Sequence, residues 1–164
     1  MSVISLRVAT WQDWQKGKTL RVVPEPPEFE DYPGPKELSP RQERNWWNDK
    51  VRNGKIVIYS IEHNSLGLVG FIRAFNINKA KLRCEVGVEV LDSANYGKGF
   101  AFLAGQDFLH ILTNQYHLHH YQALIHPDNS RCLDLFKKLE FKDDGDVIDS
   151  EEPDWVFKKM IKSI

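Results

Sequence analysis

The chain has 164 residues, enough to bury roughly 70% of its unfolded surface and build one real core. Hydrophobic residues make up 41% and charged residues 27%, and nine Phe, five Trp and five Tyr exclude a disordered chain. Lys and Arg total 22 against 23 Asp and Glu, a balance that argues against a strongly basic nucleic-acid binder.

Two cysteines, Cys84 and Cys132, are too few for a disulfide scaffold and suit a reducing compartment. The first ten residues lack the charged head and apolar run of a secretory signal. No stretch approaches the ~18 apolar residues of a membrane helix, and no internal repeat is visible. The expectation is one cytoplasmic domain over residues 1–164, with no membrane partner.

Ile4, Leu6 and Val8 alternate with Ser5, Arg7 and Ala9, which predicts a strand. Thr10 then opens a helix with Asp13 in capping-box spacing, and Trp11 and Trp14 share its buried face. Residues 22–40 hold Pro24, Pro26, Pro27, Pro33, Pro35 and Pro40, so neither helix nor sheet is favoured. That loop is acidic, with Glu25, Glu28, Glu30, Asp31 and Glu37 against Lys36.

A second helix starts at Ser39, with Pro40 in its first turn and Gln42 completing a capping box. Trp47 and Val51 stack at i, i+4, and Asn53-Gly54 ends it. Strands follow at 56–61, 68–75 and 82–91 as an antiparallel meander. Residues 97–113 are apolar at helical spacing, 119–125 reads as a strand, and Pro127-Asp128-Asn129 opens a helix carrying Cys132, Leu135, Phe136 and Leu139. Two strands close the chain at 141–148 and 155–161. The order is β-α-α-β-β-β-α-β-α-β-β, an α/β fold with a mixed, mostly antiparallel sheet and one β-α-β crossover.

The chemically informative stretch runs from Glu85 to Ala101, a strand leading through a glycine-containing turn into a helix. Gly97 and Gly99 admit backbone conformations closed to other residues. The N–H groups of the first helical turn, with the helix dipole and Lys98, make a site for phosphate or pyrophosphate. The spacing is not a nucleotide P-loop, because Gly99 follows Lys98, nor a dinucleotide turn, because Phe102 stands at its last glycine.

Tyr96, Gly97, Lys98, Gly99, Phe100 and Ala101 resemble motif A of the GCN5-related N-acetyltransferase (GNAT) family, Arg/Gln-x-x-Gly-x-Gly/Ala, with Tyr at the first position. A second family signature, Asn-x-x-Ala/Ser-x-x-Leu-Tyr-x-Lys-Leu-Gly-Phe, is matched by Asn129, Cys132, Leu135, Phe136, Lys138, Leu139, Glu140 and Phe141. The pattern is nearest the ribosomal-protein and small-amine acetyltransferase branches. The resemblance implies the GNAT fold and acetyl-CoA as cosubstrate, its pyrophosphate on residues 96–101. It also implies that the backbone of Glu89, Val90 and Leu91 holds the pantetheine arm against the parallel strand 119–125. Backbone N–H groups there hold the oxyanion, and Asn129 either contacts the coenzyme or caps its helix.

Acetyl transfer to an ammonium needs a base, and the resemblance places it at Glu85, with Glu89 on the same strand face as the alternative. The usual Tyr acid is replaced by Phe136, which cannot donate a proton. Cys132 is the remaining candidate acid; its plainer reading is a small core residue.

His117, His119 and His120 do not place a third metal ligand, and the acidic run 143–154 fails the calcium-loop pattern at Lys142 and Glu140, so no metal is expected. The reading is an N-acetyltransferase acting by direct transfer in a ternary complex on a small cationic amine, an amino sugar or a peptide amine, with a homodimer among the assemblies allowed. The alternative is a non-catalytic acyl-CoA-binding regulatory module with the same fold.

Overall fold

Alternation along the strands decides which side chains meet which layer, and here one sheet separates two helical layers. The structure, a computed structural model, describes residues 3–22, 38–148 and 156–164. The strands are β1 (Ile4–Val8), β2 (Val57–His63), β3 (Gly67–Asn78), β4 (Arg83–Val90), β5 (His120–Ile125), β6 (Lys142–Ile148) and β7 (Val156–Ser163). The helices are α1 (Trp11–Leu20), α2 (Pro40–Trp46), α3 (Phe100–Asn114) and α4 (Ser130–Lys138).

The strands lie side by side in the order β1-β2-β3-β4-β5-β7-β6. Neighbours run antiparallel except β4 and β5, which are parallel. A parallel pair cannot close through a hairpin, and α3 makes the crossover. The predicted element order holds. That β7 inserts beside β5 and leaves β6 at the edge was not legible, because the acidic β6 and the basic β7 announce only that the two pair with each other, not which of them joins β5.

The helix starts follow local chemistry. Thr10 Oγ1 accepts the Asp13 N–H at 3.1 Å while Asp13 Oδ2 accepts the Thr10 N–H at 2.9 Å. Ser39 and Gln42 make the same reciprocal pair at α2. Trp47 and Val51, predicted to continue that helix, lie in a π-helical turn, Trp47–Val51. Gly54, at φ +75°, ends it as expected.

On one sheet face, Tyr59, Ile61, Ile72, Val86, Tyr121 and Met160 pack with Phe100, Phe108, Leu112 and Phe136 from α3 and α4. On the other, Ile58, Phe71 and Leu91 pack with Trp14 and Trp47 from the α1–α2 side. Trp14 lies 5.9 Å from Trp47 and 5.4 Å from Phe71 between ring centroids. Glu43, buried on α2, accepts the Trp14 indole N–H at 2.9 Å and pairs with Lys18. That bond locks α2 onto α1.

Asp13 joins three elements. Arg7 of β1 donates to Oδ1 at 2.7 Å and Ser60 of β2 donates to Oδ2 at 3.1 Å. Burial alone would push this carboxyl up; the bonds from Arg7, Thr10 and Ser60 overcome it and hold the carboxyl well below the usual carboxylate range. A depressed folded pKa contributes stability above the unfolded value of about 4, lost as pH falls toward the folded value. Asp13→Asn is therefore expected to cost about 2 kcal/mol at neutral pH, the scale of charged hydrogen bonds. Urea midpoints of variant and parent, compared from pH 7 to pH 3, should begin to draw together below about pH 4 without meeting, since the folded value lies lower still.

Candidate active site

The site is built where two parallel strands part. β4 and β5 pair at Arg83 with His120, Cys84 with Tyr121 and Glu85 with Gln122. Beyond Glu85 they separate, although β4 stays on β3 through Val90 and β5 stays on β7 through Ile125.

Backbone parity tells which groups face the gap. Leu82 O accepts from His119 and His120 N–H at 2.8 and 3.0 Å, so even-numbered residues of β4 turn toward β5. Leu91 N–H donates to Val69 O at 2.9 Å, so odd-numbered residues turn toward β3. Val88 and Val90 therefore direct their N–H groups into the gap. Of the three residues expected to hold a pantetheine arm through their backbone, Val90 is so directed. Glu89 faces β3, and Leu91 is committed at both ends, its carbonyl accepting the Val22 N–H at 2.8 Å. Val88 escaped the sequence reading because parity is unknown until a ladder partner is known.

At the far end of the gap, Asp92 accepts the Ala94 N–H at 2.9 Å and starts the turn that leads to α3. Gly97 and Gly99 hold φ of +75° and +81°, and a Cβ on either would project into open space. The first helical bond of α3 runs from Leu103 N–H to Gly99 O at 3.1 Å. The N–H groups of buried Phe100, and of Ala101 and Phe102, point out of the helix start. Lys98 Nζ donates to Asn95 Oδ1 at 3.1 Å, across the turn. A second cation stands close by: the Arg131 guanidinium lies 4.0 Å over the Tyr96 ring. Its position was hidden in sequence, since α4 and the turn meet only in the fold.

Asn129 is buried and caps α4, accepting the Cys132 N–H at 3.2 Å. Cys132 is half-buried and packs against the main core. Phe136 is 2% exposed, its ring edge-on to Phe141 at 4.9 Å.

Glu85, Gly87 and Glu89 share the opposite sheet face, the one toward α1 and α2, paired with Phe75, Arg73 and Phe71. The ladder is unbroken between them, so no bulge separates the two carboxylates. Their settings differ. Glu89 is ion-paired with Arg21 Nε at 2.6 Å. Glu85 Oε1 accepts from Asn76 Nδ2 at 3.0 Å and from Gln122 Nε2 at 2.9 Å, while Oε2 takes no hydrogen bond among the described residues. Between them, the buried Arg73 guanidinium presses on Gly87, where a Cβ would come within 3.0 Å of Nη2.

Trp47 is 6% exposed and serves the α1–α2 layer. Trp46 is half-buried and lies 5.8 Å from Trp14. The acidic segment Glu25 to Glu37 lies outside the described residues; Val22, just before it, is pinned to Leu91 and Ser93 at the end of β4. His120 Nδ1 lies 2.8 Å from Ser163 Oγ, and Asp143 and Asp146 both pair with Lys158. Among the described residues no group of three or more His, Cys, Asp or Glu is placed to hold a metal, and no helix is long and apolar enough to cross a membrane.

A family model described as an acetyltransferase (GNAT) domain matches residues 4–142. No curated protein sequence matches significantly. Among solved structures, a chimera of the Vibrio cholerae spermidine N-acetyltransferase SpeG and hSSAT superposes with a TM-score of 0.81 at 18% identity, covering 99% of this chain and 96% of that one. The spermidine/spermine N-acetyltransferase SpeG of Vibrio cholerae in complex with manganese ions gives 0.77 at 18% identity, over 98% and 92%. At that identity the superpositions speak for the fold. The family match, on a sheet whose parallel strands part beside a glycine turn, shows that the chain belongs to the GNAT family of N-acetyltransferases, enzymes that use acetyl-CoA as cosubstrate.

Proposed function

We propose that a single catalytic domain spanning the chain transfers acetyl from acetyl-CoA directly to a primary amine in a ternary complex. The observation that carries this reading is the position of Glu85. It occupies the last ladder pair before β4 and β5 separate, and its Oε2 is clear of hydrogen bonds among the described residues.

The residues fit the coenzyme. Gly97 and Gly99 keep the outward N–H groups of Phe100 and Ala101 open to a pyrophosphate, with Tyr96, Lys98 and Arg131 beside the turn. The N–H groups of Val88 and Val90 suit the amide carbonyls of a pantetheine arm. Asn129 acts by capping α4 and so fixing the coenzyme-side helix. Acetyl-CoA supplies an activated acetyl thioester.

The chain supplies a base and a place for the amine. Asn76 and Gln122 orient Glu85 so that its second oxygen can take a proton from the incoming ammonium, directly or through a water. Glu89, held by Arg21, is the weaker candidate. Neither cysteine suits a covalent intermediate. Cys84 is 2% exposed, and burial, then the Glu85 charge, push its thiol up to about 12. Cys132 packs on the core. With Phe136 in the core, solvent completes protonation of the departing thiolate. The acceptor reading is a small cationic amine, supported by the fold likeness to spermidine N-acetyltransferases and by the acidic composition of residues 25–37.

Coenzyme A should raise the thermal midpoint of the parent protein. In Gly99→Val the left-handed backbone costs about 1–2 kcal/mol and the new side chain enters the space before the N–H groups, so the coenzyme-induced shift should vanish. An unchanged coenzyme affinity would remove the turn from the site.

Glu85→Gln should lower kcat by roughly 10- to 1000-fold with coenzyme affinity intact, and the deficit should narrow at high pH, where the amine is already neutral. Glu89→Gln should cost far less. The reverse ranking would transfer the base to Glu89.

For the acceptor, kcat/KM with a cationic amine should fall as ionic strength rises, and joint neutralisation of Glu28, Glu30 and Asp31 should raise KM with little change in kcat. An unaltered KM in steady-state assays would leave that segment outside the acceptor site.

A further inference from the structure

A narrow apolar slot lies behind the gap, between β4 and the two helices that cover it. Val86 and Val88 form one wall, Ala101 of α3 another, and Phe136, Leu139 and Phe141 close the far side. No polar surface lines it, and it has room for no more than about one water. Its walls are drawn from the strand and the helix that flank the proposed coenzyme path. Val86 follows Glu85 at the point of divergence, and Ala101 belongs to the first turn of α3 beside Gly99.

Phe136 is the residue that seals it. The ring is 2% exposed and held edge-on against Phe141, so it has no freedom to swing aside. At this position the family signature carries a Tyr, whose hydroxyl would bring a polar group to the slot. Phe keeps the wall wholly apolar and the ring fully packed.

We propose that Phe136 is a donor-specificity residue: it walls the slot beside the thioester so that the acyl group is limited to acetyl, and a smaller side chain there admits longer, unbranched acyl chains. The inference rests on the proposed acetyl transfer along the β4–β5 gap. Its chemistry is steric. An added methylene has nowhere to go while the slot is closed, whereas in an opened slot it would gain apolar burial.

The test compares acetyl-, propionyl- and butyryl-CoA, by kcat/KM with one amine acceptor and by calorimetric affinity, which needs no acceptor. The parent protein should prefer acetyl- over butyryl-CoA by 100-fold or more in kcat/KM. Phe136→Leu should shrink that ratio at least 10-fold. Val88→Ala, at a half-buried position on the opposite wall, should act in the same direction and serves if Phe136→Leu does not fold. A parent protein that takes butyryl-CoA as well as acetyl-CoA overturns the proposal. So does a folded variant set in which the acetyl-to-butyryl ratio stays within twofold of the parent. Failure to bind any CoA thioester would instead overturn the acetyl-transfer reading on which the proposal stands.

Discussion

The structure turns on the separation of β4 from β5 after Glu85. Each strand keeps an antiparallel partner on its other side, so the sheet stays whole while one interior edge opens. Backbone N–H and C=O groups at such an edge need partners, and leaving them dry would be costly. A ligand with its own amides would satisfy that requirement, which is the physical ground for proposing an extended pantetheine arm in this cleft. The glycine turn at residues 97–99 stands beyond the end of the same strand. Strand divergence and helix start are thus two parts of one device, joined by a few residues of chain.

Environment sorts the acidic groups by role. Asp13 and Glu43 are buried and bonded to several donors, and they fasten α1 to its neighbours. Glu89 is matched to Arg21 at the exit of α1. Glu85 alone among these four stands at the divergence, steadied at one oxygen by two side-chain amides. A carboxylate so held is oriented without being neutralised by a cation, which suits a base. The cysteines sort the same way: Cys84 is sealed in the core, and Cys132 fills a helix face. Neither is placed to act as a nucleophile. The absent tyrosine at 136 removes the family's usual proton donor, and the phenyl ring serves packing instead.

Local features were the legible part of the sequence. Glycine at 97 and 99 announces positive φ because other residues resist it, and Thr10 with Asp13 announces a cap because the spacing allows nothing better. Element order followed from periodicity. Pairings were not legible. Asn76 and Gln122 lie nine and 37 residues from Glu85, and only the register brings them to it. Whether the amide of Val88 or of Leu91 turns toward the gap depends on which edge of β4 each faces, a fact set by the β3 partner. The spacing of Trp47 and Val51 announced a shared helical face but not which layer that face meets. In the fold the α1–α2 layer needs a large apolar ring at that point, and the indole is buried there.

The central claim is that the coenzyme lies along β4 in the gap left by β5. Amide hydrogen exchange with and without coenzyme A, resolved to single residues, measures this directly. The account predicts slowed exchange at Val88, Val90 and residues 99–101, with the β6–β7 hairpin unchanged. Unaltered exchange at Val88 and Val90 in a protein that binds the coenzyme would contradict it.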